Sequence, residues 1–121
     1  MSAANQIDYV EFEAADLDAT KKFFEQLFHW KFTDYGPDYT SFHDGRIAGG
    51  FAPAQKRSTI DSGGVLVVFY HPDLEGARQR VLDLDGKITK DIFSFPGGRR
   101  FHFTEPSGNE CAIWSEEKAA G

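Results

Sequence analysis

The run Asp16-Leu17-Asp18-Ala19-Thr20-Lys21-Lys22-Phe23-Phe24 recurs in kind, 57 residues on, as Asp73-Leu74-Glu75-Gly76-Ala77-Arg78-Gln79-Arg80-Val81. At the same spacing Leu17, Phe24 and Leu27 overlie Leu74, Val81 and Leu84. Each run opens with an Asp suited to cap a helix and carries a second carboxylate in the first turn, where the helix dipole favours it. Leu17, Phe24, Leu27 and Phe28 then share one helical face at i, i+7, i+10 and i+11. A matched repeat of this kind implies two copies of one supersecondary unit packed together. A paired unit leaves a concave surface between its halves, and a small-molecule site would sit there.

Working outward from the two helices, over 17–28 and 74–85, each unit reads as strand, helix and three strands. In the first, strands are predicted over 7–13, 31–35, 39–43 and 46–51, with Gly36-Pro37-Asp38 and Asp44-Gly45 as turns. In the second they fall over 64–70, 87–95, 99–104 and 110–115, with turns at Pro96-Gly97-Gly98 and Pro106-Ser107-Gly108-Asn109. Gly86 is placed to end the second helix in a left-handed conformation. The polar stretch from about 53 to 63 reads as a linker between module 1 (about 6–52) and module 2 (about 64–115). The chain as a whole is one domain.

The 121 residues suffice for one real core, and 12 Phe in a chain that is 15% aromatic imply packing on large rings. A net charge of −6 argues against a nucleic-acid partner, since phosphate neutralisation needs clustered Lys and Arg and the largest basic cluster is Arg99-Arg100. The same acidic balance favours a cationic or aromatic small molecule. The first residues show no signal-peptide pattern, and no apolar run approaches the roughly 20 residues of a membrane span. With Cys111 as the one cysteine, neither an intrachain disulfide nor a multi-thiolate metal site is possible. A cytoplasmic location is the simplest expectation.

Strand alternation sorts the inner residues into two faces. Val10, Phe12, Val65, Val67, Phe69, Cys111 and Ile113 form an apolar face, expected to pack on Phe24, Leu27, Val81 and Leu84. The other face carries Tyr9, Glu11, Leu66, Val68, Tyr70, Glu110, Ala112 and Trp114. Its mixture of rings, small residues and two carboxylates has the character of a cleft lining. Alternation in the seventh strand sends Arg100, His102 and Thr104 to the same side.

Two βαβββ modules, each opening on a strand that leads into an Asp-Leu helix start, resemble the vicinal oxygen chelate superfamily. Its members include glyoxalase I, extradiol dioxygenases, fosfomycin-resistance enzymes and bleomycin-resistance proteins. Glu105-Pro106-Ser107-Gly108-Asn109-Glu110 is similar to the superfamily's Asp-Pro-x-Gly-Asn turn before the last strand. Tyr9-Val10-Glu11-Phe12, Asp34-Tyr35-Gly36-Pro37 and Phe95-Pro96-Gly97-Gly98-Arg99-Arg100-Phe101 resemble glyoxalase-like members. The resemblance covers roughly residues 7–115. It implies an α+β fold of two curved mixed sheets around a central cleft with helices outside, and a homodimer. It also assigns the metal-ligand positions to Tyr9, Gly49, Leu66 and Ala112, none a ligand of the usual kind. No metal and no cofactor are therefore expected.

The candidate substrate-binding residues are Tyr9, Glu11, Tyr70, Arg100, His102, Glu110 and Trp114. Glu11 and Glu110 are either ligand acceptors, with one carboxyl raised as a general acid or base, or solvated rim residues paired with Arg99 or Arg100. His102 is either a functional imidazole or a structural one. Tyr9, Tyr70 and Trp114 are pocket walls or simply fill the concavity. Arg99-Arg100 either guards an anionic substrate or ends a solvated hairpin. The expected function is small-molecule binding or a metal-independent glyoxalase-like lyase or isomerase activity. The alternative is sequestration of a drug or metabolite without catalysis, in the manner of bleomycin-resistance proteins.

Overall fold

The computed structural model describes residues 4–116. In chain order the elements are β1 (Tyr9–Ala14), α1 (Leu17–Phe28), β2 (Lys31–Asp34), β3 (Thr40–His43), β4 (Ala48–Pro53), β5 (Val67–Tyr70), α2 (Leu74–Asp83), β6 (Lys87–Phe95), β7 (Gly98–Thr104) and β8 (Glu110–Glu116). They form two four-stranded sheets of identical plan, β1-β4-β3-β2 and β5-β8-β7-β6. In each, the first strand lies parallel to the last and the remaining neighbours are antiparallel. The α+β architecture of two βαβββ modules is thus the observed one.

The repeat extends to local chemistry. The Asp16 carboxylate accepts from the Ala19 amide and that of Asp73 from the Gly76 amide, both at 3.0 Å, so each helix is capped at its third turn residue. Thirteen residues separate the partners in each of two ion pairs, Lys21–Asp34 at 2.9 Å and Arg78–Asp91 at 2.8 Å, which tie each helix to its module's next strand. The helix ends differ. His29 closes α1 in the left-handed region and donates its amide to Glu25 O. In the second module that conformation belongs to Asp85, not to Gly86 as the sequence predicts. Gly86 is required for space instead, because a Cβ there would meet Val81 and Phe23.

Helix-facing residues of both modules meet in one contiguous apolar cluster. Phe24, fully buried on α1, stacks on Trp30 and Phe51 within its own module and meets Phe69 of β5 edge-on at 6.1 Å. Phe23 reaches Phe103 of β7 at 6.0 Å. Phe12, Leu27, Val81, Cys111 and Ile113 are buried as alternation predicts, while Val10, Val67, Phe69 and Leu84 pack at the margin of the cluster. Val65 departs from its predicted face. It precedes β5, which begins only at Val67, and is 82% exposed.

The turn between β7 and β8 locks the modules together. Glu105 is buried, and its carboxylate accepts from the Thr20 hydroxyl of α1 and from the Asn109 amide. Asn109 in turn donates its side-chain N–H to Glu13 O of β1 at 2.8 Å and accepts from the Ser58 amide at 2.9 Å. Buried polar groups are tolerated when every one is bonded, and this set is.

Burial raises the Glu105 carboxyl pKa above its ordinary 4.5, although its donors pull the other way. A carboxyl whose folded pKa exceeds the unfolded one favours folding while protonated, and that contribution disappears as pH rises through the folded value. The stability of the wild type relative to Glu105→Gln should therefore fall as pH is raised from about 4 to neutrality, measured by urea unfolding. A difference that does not change with pH would mean that this carboxyl titrates normally.

Candidate functional site

Strand register sets a row of four side chains straight across the second sheet. Tyr70 of β5 lies opposite Trp114 of β8, Trp114 opposite Arg100 of β7, and Arg100 opposite Phe93 of β6. Directly paired residues share a face, so the row stands on the side away from the helices. Tyr70 and Trp114 meet edge-on at 5.2 Å, and Phe95 approaches Trp114 to 6.4 Å. The Arg100 guanidinium lies 5.3 Å from the Phe93 ring centre and 5.7 Å from that of Phe95. It makes no hydrogen bond or ion pair among the described residues, and its Nε is buried without a partner. Tyr70 is 47% exposed; its hydroxyl donates to the Glu116 carboxylate at 2.7 Å.

The next row is Val68, Ala112, His102 and Lys90. His102 is only 3% exposed, and its Nε2 has no partner. Its Nδ1 lies 3.8 Å from Glu110 Oε2, near enough for charge to matter and too far for a direct hydrogen bond. Burial, followed by the Arg100 charge, lowers the His102 pKa, which leaves the ring neutral near pH 7. Glu110 is itself engaged, accepting from the Ile60 amide at 2.9 Å and the Thr89 hydroxyl at 3.0 Å. The alternative pairing of Glu110 with Arg99 or Arg100 is not what forms, since Arg99 is clamped to Glu75 at 2.7 Å.

On the first sheet Tyr9 and Glu11 also stand on the helix-free side, linked through a residue the sequence reading passed over. The Tyr39 hydroxyl bonds to that of Tyr9 and donates to Glu11 at 2.9 Å. Burial first, then these two bonds, raises the Tyr39 pKa, so it stays a neutral donor. Gly50, opposite Glu11 in β4, admits the pair of rings because any Cβ there would collide with both hydroxyls.

The seven candidates therefore form two groups. Tyr70, Arg100, His102, Glu110 and Trp114 gather on one sheet; Tyr9 and Glu11 belong to the other, and among the described residues no hydrogen bond or ring contact joins the sets. Glu11 lines a cavity of about 1180 Å³ between β1, the linker and β5, whereas Tyr70 and Trp114 border a second of about 750 Å³ beside the end of α1. Sequence reading missed Tyr39, Lys90, Phe93 and Phe95. The signal at β6 was scrambled by two register shifts between Ile88 and Phe93, which break the two-residue period.

Residues 6–113 match the Glyoxalase/Bleomycin resistance protein/Dioxygenase superfamily. The chain belongs to that superfamily. Solved structures share the fold, among them a glyoxalase/bleomycin resistance protein/dioxygenase family enzyme from Burkholderia phytofirmans, with a TM-score of 0.76 and 14% identity over 91% of this chain and 99% of that one. A lactoylglutathione lyase from Agrobacterium tumefaciens gives 0.71 and 20%, over 94% and 96%. The fosfomycin resistance protein FosX from Listeria monocytogenes gives 0.77 and 13%, over 93% and 94%. No curated protein sequence matches the chain.

The superfamily's metal centre does not fit these residues. Among the four ligand positions that the resemblance assigns, the Tyr9 hydroxyl is taken by Tyr39, and Ala112 is buried with no donor. Leu66 is apolar. Gly49 pairs with Val10, and a Cβ there would run into Phe42, so this position looks toward the core rather than the open face. Among the described residues no three His, Cys, Asp or Glu side chains are arranged to hold an ion. A divalent cation needs about three or four such donors. Elemental analysis of purified protein should find well under one divalent ion per chain. About one zinc, nickel or iron per chain, lost on Glu110→Gln, would overturn this.

Proposed function

We propose that this superfamily member binds a small, largely planar organic molecule against the open face of its second sheet, without a metal at the family's ligand positions. The observation that carries this reading is the row Tyr70, Trp114, Arg100 and Phe93. Three rings and a guanidinium with no acid partner stand on a face that no helix covers. Aromatic side chains with a few convergent polar groups are the usual lining of a small-molecule site, and Tyr70 and Trp114 of this row border the cavity of about 750 Å³. Sequestration of a ligand needs nothing more than this.

A glyoxalase-like lyase or isomerase is the second reading, favoured by His102 and Glu110. A proton on Nδ1, the nitrogen nearer the carboxylate, leaves Nε2 as a free lone pair on a neutral ring, the state a general base requires. On this reading activity survives chelators, and Nε2, which is covered in this conformation, becomes reachable only when the side chains over it move. A cytoplasmic location accords with a single buried thiol.

The two tryptophans separate a ligand on the row from one in the cavity beside the end of α1, because Trp114 belongs to both, whereas Trp30, in the core, borders only the cavity. Titration of small planar aromatic compounds should shift the Trp114 indole N–H resonance and leave that of Trp30 in place. Trp114→Ala should weaken binding by about tenfold or more, the worth of a lost stacking ring. Compounds that bind equally well to Trp114→Ala would move the site elsewhere.

We also propose that two copies pair, since the superfamily resemblance implies a homodimer. Sedimentation at tens of micromolar should give twice the mass of one chain, and a monomer at that concentration would count against pairing.

A further inference from the structure

We propose that Arg100 is an anion anchor, and that the ligand of the open face is a planar aromatic carboxylate whose charge meets the guanidinium while its ring lies on Trp114 and Tyr70. This rests on the reading that the second sheet's open face takes a small molecule, and adds its chemical class.

Arg78 is bound to Asp91 and Arg99 to Glu75, each by two hydrogen bonds. Arg100, next in the chain to Arg99 and on the opposite face, has none among the described residues. Arg46, Arg57 and Arg80 also lack a carboxylate partner among the described residues, and Arg80 bonds to His71 instead; Arg100 differs from them in standing on the second sheet's open face, directly opposite Trp114. Arg100 is half-buried, and its guanidinium lies near the Phe93 and Phe95 rings, contacts that use none of its N–H donors. A second cation, Lys90, sits 4.3 Å from the centre of the Phe93 ring.

Among the described residues, Glu110 and Glu116 are the carboxylates on this face, and both are occupied. Glu110 takes bonds from the Ile60 amide and Thr89, and Glu116 from the Tyr70 hydroxyl. Neither neutralises Arg100. A planar carboxylate is the partner whose geometry matches a rigid guanidinium fork, and charge-assisted bidentate pairs are about twice as strong as neutral hydrogen bonds. The row supplies the rest of the specificity. Trp114 is directly opposite Arg100 in register, so a ring attached to the carboxylate extends over Trp114 towards Tyr70. The overall charge of −6, which by itself favours a cation, is overruled locally by these side chains.

The test compares 2-naphthoate with 2-naphthamide, which has the same ring but no charge, by following the Trp114 and Trp30 indole resonances in the full-length protein. Naphthoate should shift Trp114 and bind at least about tenfold more tightly than naphthamide, the scale of one charge-assisted pair. Arg100→Gln should remove that preference by weakening naphthoate much more than naphthamide, with the unchanged Trp30 resonance showing that the variant is folded. Arg100→Lys, which keeps the charge and loses the fork, should retain only part of it. Equal binding of the two compounds to the wild type, or a preference that survives Arg100→Gln, would overturn the anion anchor while leaving the open-face site standing. Failure of both compounds to move Trp114 would overturn the proposal together with the reading beneath it.

Discussion

Phe24 is the residue on which the arrangement depends, because its ring is shared between modules. It stacks on Trp30 and Phe51 from the first and meets Phe69 from the second, with Phe28 and Trp30 also touching Phe69. Two βαβββ units of about 50 residues each would bury too little apolar surface to be secure alone. Sharing one core removes that difficulty and fixes how the sheets lie with respect to α1. It also accounts for the heavy use of Phe, since large rings can span the distance between elements of different modules.

Apolar packing sets proximity but tolerates sliding, whereas hydrogen bonds set register. The turn from Glu105 to Asn109 does the second. A buried carboxylate that accepts from Thr20 of α1, and an amide that reaches Glu13 of β1, allow one alignment of the modules. The same turn begins β8, whose register places Glu110, Ala112 and Trp114 on the open face. The modules' alignment and the functional row therefore have a common origin. Burying a carboxylate is costly, which explains why each of its neighbours is a donor.

Both sheets have one topology, one pattern of helix caps and one pattern of helix-to-strand ion pairs, and their open faces differ completely. The first bears a chain of phenols and a carboxylate, Tyr9, Tyr39 and Glu11, made possible by the missing side chain of Gly50. The second bears rings, an unpaired guanidinium and a buried imidazole. Surface-exposed ion pairs such as Lys21–Asp34 contribute little energy. Their recurrence marks the repeat rather than holding it together. Function in such a scaffold lies in the side chains grafted on one face, which the fold permits but does not specify.

The sequence by itself determined the repeat, the class of fold and the face to which most residues belong. Each rests on short-range periodicity: Asp16 and Asp73 as caps, Leu17 and Phe24 on a helical stripe, Cys111 and Ile113 alternating with Ala112 and Trp114. It also determined that none of the family's four ligand positions carries a ligand of the usual kind, since that is a matter of identity at four sites. Where local irregularity enters, the reading fails. The shifted register of β6 hid Phe93 and Phe95, and the left-handed residue after α2 proved to be Asp85. Tertiary structure alone decided that Glu11 bonds to Tyr39 and not to His102 or Glu110, that Tyr39 joins Tyr9, and that Arg100 is left without an acid while Arg99 has one. Those are pairings between strands distant in the chain, and periodicity along one strand carries no information about which neighbour it will meet.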